Sequence, residues 1–66
     1  MKLSISKKDD ALYLKLDETL IVESEEVQPG IIFDYDDKGQ VIGIEMLGLS
    51  NRISMDEIKN VQLETI

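Results

Sequence analysis

The residues best placed to do chemistry lie between 34 and 45, in the run Asp34-x-Asp36-x-Lys38-Gly39 followed by Val41 and Glu45. With Asp34 as position 1, carboxylates fall at 1, 3 and 12 and a glycine at 6, which approaches the spacing of an EF-hand calcium loop. Two features oppose that use. Lys38 puts a cation where the fifth position should offer an oxygen, and the flanking residues read as strands where an EF-hand needs helices. The same residues suit a tight hairpin whose acids are solvated. Glu45 is also a candidate for carboxylate acid-base chemistry, because it lies in an otherwise apolar strand where burial would raise its pKa. Its phase, shared with Val41, Gly43 and Leu47, is opposite to that of Ile42, Ile44 and Met46, so a surface or interface role competes. Nucleophilic catalysis has less support: the serines at 4, 6, 24, 50 and 54 have no histidine to act as base, and no nucleophile-elbow spacing occurs. Ala11 and Tyr13 lie opposite the Leu12, Leu14 and Leu16 stripe. Together with Glu45 they are the interface candidates, since an aromatic ring with a polar tip suits a contact surface.

The chain that must position these groups is short. Sixty-six residues make one domain, 1–66, and a chain of this length buries only about 60% of the surface its unfolded form exposes. Disulfides, a metal or association usually supplement so thin a core. There is no Cys and no His, which removes disulfides and the usual zinc ligand sets. Association remains, and a homodimer is the expectation; no cofactor is implied. The formal charge is −7, from 14 acidic and 7 basic residues. That field repels phosphate backbones, and Arg52 is the sole arginine, so nucleic-acid binding is not expected. The acidity serves solubility and permits a small basic protein partner. No run reaches the roughly 18 apolar residues needed to span a bilayer. The opening residues turn charged by Lys7 and lack the apolar centre of a secretion signal, so a cytoplasmic location is expected.

Period-two alternation dominates, in short blocks separated by turn residues, which predicts an antiparallel sheet with one buried face. Leu3 and Ile5 belong to a first block, and Lys7-Lys8-Asp9-Asp10 makes a hairpin turn into a second, 11–16. Residues 20–27 are rich in glutamate and fit an exposed edge strand or an extended connection. Pro29-Gly30 matches the centre of a type II turn, and Ile31 to Tyr35 follows as a strand. Asp36-Asp37-Lys38-Gly39 predicts a type I turn closed by a left-handed glycine in a G1 bulge. Gln40 to Leu47 returns, with Gly43 marking close approach by another backbone. Ser54-x-x-Glu57 is a capping box that predicts a helix near 55–60, under which one sheet face is expected to pack. Val61–Ile66 alternates and favours a last strand, with continuation of the helix as the alternative. The fold class is therefore α+β: a small antiparallel meander of four to five strands with one short C-terminal helix.

Residues 1–52 resemble the YuzE-like family, domain of unknown function 2283. The resemblance lies in the opening strand, then Asp10-Ala11-Leu12-Tyr13-Leu14, then 27–36 (Val-Gln-Pro-Gly-Ile-Ile-Phe-Asp-Tyr-Asp), then 39–47 (Gly-Gln-Val-Ile-Gly-Ile-Glu-Met-Leu). It implies a compact sheet-based domain with no agreed catalytic residues, and the apparent neighbours of some members imply an antitoxin-type role. The expectation is a non-enzymatic, self-associating interaction domain. Its alternatives are an antitoxin-like component that neutralises a small basic toxin, and a carboxylate calcium or enzymatic site around Asp34, Asp36 and Glu45.

Overall fold

A computed structural model describes all 66 residues. Five strands form one antiparallel sheet: β1 Lys2–Ser6, β2 Ala11–Lys15, β3 Glu23–Gln28, β4 Ile31–Tyr35 and β5 Val41–Leu47. A 3-10 turn, Leu49–Asn51, and a helix, α1 Met55–Lys59, follow. The expected sheet with one short C-terminal helix is therefore present, with five strands, and the glutamate-rich segment left open between edge strand and connection contains the edge strand β3.

The strand order is β1-β2-β5-β4-β3, so the meander is interrupted once. β3, β4 and β5 run as consecutive hairpins, and β1 and β2 make another; the two units join where β2 pairs with β5. Residues 16–22 carry the chain from β2 to the far edge. Three strand spacings are roughly 14 Å, which seven extended residues, reaching at most about 25 Å, can span.

The turns follow their local chemistry. Gly39 has φ +78°, its N–H donates to Asp36 O at 3.1 Å, and Asp36 N donates to Gln40 O at 3.0 Å. This is the expected turn with its left-handed glycine. Asp36 also accepts from the N–H groups of Lys38 and Gln40 through Oδ1, each at 2.9 Å. In the β1–β2 turn, Asp10 is itself left-handed, φ +51°. Its carboxylate accepts from Ser50 N at 2.9 Å and Ser50 Oγ at 2.8 Å, while its carbonyl accepts from Leu49 N at 2.9 Å. The 3-10 turn is thereby tied to the opposite end of the sequence.

Alternation and register give the sheet two unlike faces. One carries Leu3, Ile5, Leu12, Leu14, Ile42, Ile44, Met46, Ile31 and Phe33. The other carries Ser4, Tyr13, Lys15, Gly43, Glu45, Ile32, Asp34 and Ser24. Only three large apolar residues are buried, Ile31, Ile42 and Leu49, as a thin core requires.

The C-terminal region corrects two expectations. Ser54 caps α1, accepting from Glu57 N at 3.3 Å, yet the helix has no buried residue and does not cover the sheet. Its apolar residues are too few for a wide stripe: Met55 is exposed and Ile58 half-buried. Residues 61–66 form neither strand nor helix, because no strand pairs with them and Asn60 ends α1.

Candidate functional site

Four strands contribute one side chain each to a polar cluster: Tyr13 from β2, Glu45 from β5, Asp34 from β4 and Ser24 from β3. Register explains the meeting. Asp34 lies opposite Gly43 on one side and Ser24 on the other, and Glu45 lies opposite Tyr13. Gly43 makes the room. A Cβ built on it would meet the Tyr13 hydroxyl at 2.5 Å and Asp34 Oδ2 at 3.1 Å. The close approach expected at Gly43 is therefore made by side chains, not by another backbone, since Tyr13 leans diagonally across the vacant position.

Asp34 is 2% exposed. Its Oδ1 accepts from the Ser24 hydroxyl at 2.5 Å, whereas Oδ2 is sealed from solvent and has no hydrogen-bond partner. The Tyr13 hydroxyl and the Glu45 carboxyl stand beside it without completing a bond of good geometry. Their ionisation responds to this company. Burial pushes the Glu45 carboxyl above its ordinary value, and the neighbouring Asp34 pushes it further. Burial likewise raises the Tyr13 phenol, with Asp34 and then Glu45 adding to the effect, so Tyr13 stays a neutral donor.

The sequence candidates therefore separate. Asp34 and Glu45 come together, while Asp36 is drawn into the hairpin turn by the N–H groups of Lys38 and Gln40. No three acidic side chains gather in an arrangement that could hold a metal ion. The calcium-loop spacing is thus expressed as a strand-turn-strand, in which Asp34 points into the polar face and Asp36 stabilises the turn. Ala11 is half-buried at the β2–β5 ladder. Ser24 escaped sequence reasoning, because a serine among glutamates on an edge strand carries no signal until its pairing with β4 is known. Chemically the cluster can hold a proton. The one groove of the molecule lies elsewhere, between Leu3 and Leu14 of the apolar face and Val61 and Leu63 of the C-terminal segment, with a volume of about 370 Å³.

The single five-stranded antiparallel sheet, with a polar cluster around one buried aspartate, defines a small β-sheet domain. The chain belongs to the family described as protein of unknown function (DUF2283), which it matches over residues 2–50. The match takes in all five strands and ends within the 3-10 turn, leaving α1 outside. No curated protein and no solved structure matches the chain. No helix is long and apolar enough to cross a membrane.

Proposed function

We propose that this domain is a non-enzymatic interaction module that self-associates through its apolar sheet face, two copies meeting about a twofold axis. The observation that carries the proposal is the openness of that face. Across β1, β2, β5 and β4 it bears no charged side chain, yet Leu3 is 44% and Leu16 41% exposed, and most of the stripe between them is only half-buried.

The areas agree with one missing layer. The accessible surface is 5246 Å², whereas a compact monomer of this mass exposes about 4,200 Å². Part of the excess belongs to the projecting C-terminal residues and part to the open face. Its size, roughly 1,000 Å², is comparable with the ~800 Å² each partner contributes to a standard interface. A second copy fits better than an acidic or basic ligand, because an uncharged surface complements itself and a twofold axis places like against like. Glu23 and Glu25 of β3 fall at the border of the patch, where they remain solvated as a polar rim. The groove under Val61 and Leu63 also fits this arrangement, since protein interiors do not leave such gaps unfilled.

Sedimentation equilibrium of the wild type and of Leu3→Lys tests the proposal. The wild type should be dimeric at micromolar concentration. Leu3 is already exposed, so its replacement should leave the circular dichroism spectrum unchanged while shifting the population to monomer. A wild type that stays monomeric and cooperatively folded, or a Leu3→Lys variant as dimeric as the parent, would overturn it.

A further inference from the structure

Asp34 Oδ2 poses a problem of supply. A buried carboxylate oxygen needs a donor, and the groups facing it from each neighbouring strand can be taken in turn. From β2 come Tyr13, whose hydroxyl passes over Gly43 without closing a bond, and Lys15, whose ammonium is 3.1 Å from Glu18. From β3 come Ser24, already committed to Oδ1, and Glu26, which is exposed. From β5 comes Glu45. An ionised Glu45 would set a second negative charge beside a desolvated one, the arrangement in which two carboxylates cannot both ionise freely. A protonated Glu45 removes the repulsion and supplies the missing donor.

We propose that Asp34 and Glu45 share one proton, carried by Glu45 and directed at Asp34 Oδ2, and that this proton is a pH-sensitive latch between β5 and β4. Through the Ser24–Asp34 bond the latch extends to the edge strand β3. A proton fits where a larger ligand does not, because Oδ2 exposes less than 1 Å². The upward push on Glu45 from burial and from Asp34 agrees with this geometry. The direction of the linkage follows. A carboxyl that binds its proton more tightly in the folded state adds stability fully below the unfolded value of about 4.3. That contribution is lost as pH rises through the higher folded value. The face then carries one negative charge fewer than its formal count until the latch opens.

Carboxyl carbon NMR of the full chain, titrated across about pH 3 to 9, reads Glu45 directly. In the wild type its midpoint should lie above that of the exposed glutamates, and Asp34→Asn should bring it part of the way down, leaving the shift due to burial. Should Asp34→Asn fail to fold, Glu45→Gln provides an independent reading, since the amide can donate to Oδ2 at every pH. Its melting temperature at neutral pH should exceed that of the wild type, and the decline with rising pH above the ordinary glutamate range should flatten. A Glu45 midpoint equal to that of the exposed glutamates, or a Glu45→Gln variant with the parent's pH profile, would overturn the shared proton.

Discussion

Glycines 39 and 43 illustrate how one residue type serves two physical needs. Gly39 has open space where a Cβ would stand and a φ of +78°, so its constraint is conformational. Gly43 has no positive φ, and its constraint is the Tyr13 hydroxyl and Asp34 carboxylate above it. Substitutions should separate the two. Gly39→Val should cost about 1–2 kcal/mol through backbone strain alone, with the Tyr13 ring resonances unmoved. Gly43→Ala should cost about 1–3 kcal/mol through overpacking and should displace those resonances, because Tyr13 must give way. Chemical denaturation paired with aromatic NMR checks both; a silent Gly43→Ala would mean that Tyr13 does not rest there in solution. The sequence disclosed that Gly43 was crowded but not by what. Asp34 was harder still to read, since an aspartate just before a hairpin resembles a solvated turn residue, and its burial depends on Ser24 and Tyr13 arriving from strands distant in the chain.

At the scale of elements, local signals located all five strands and the start of α1 but misread 61–66, where alternation suggested a strand that does not form. Alternation located the strands, Pro29-Gly30 and Asp36 to Gly39 set the hairpins, and the glutamates of 23–26 marked β3 as an edge. Pairing between β2 and β5 was illegible, because neither turn residues nor alternation specify which hairpins become neighbours. The clamp between Asp10 and Ser50 is likewise a consequence of tertiary placement. The C-terminal helix was legible in its cap and misleading in its packing: a capping box states where a helix begins, not what it lies against. Because α1 buries nothing, its stability is local. Ser54→Ala should therefore fray the helix in backbone amide exchange while changing global stability by less than about 0.5 kcal/mol, as surface substitutions do. A loss of about 1–2 kcal/mol, the cost of capping an integrated helix, would show that α1 is docked in solution.

Across the whole molecule, one sheet divides two tasks. Its polar face gathers Tyr13, Asp34, Glu45 and Ser24 around the buried Asp34 carboxylate, and its apolar face stays largely open because no second layer covers it. Domains are ordinarily built from two packed layers, and the five-residue helix is too small to be the second. In the proposed assembly, another copy of the same sheet supplies that layer. The proposal puts the interface on the leucine face, opposite the Tyr13 side that the sequence favoured, because Tyr13 is engaged over Gly43 beside Asp34. Intermolecular contacts observed in a sample mixed from isotope-labelled and unlabelled protein address this most directly. Isotope-filtered NOEs should link methyl groups of Leu3, Leu14 and Leu16 in one copy to the apolar face of another. A folded sample with no intermolecular NOEs, or with NOEs arising only around Tyr13 and Ala11, would contradict the account.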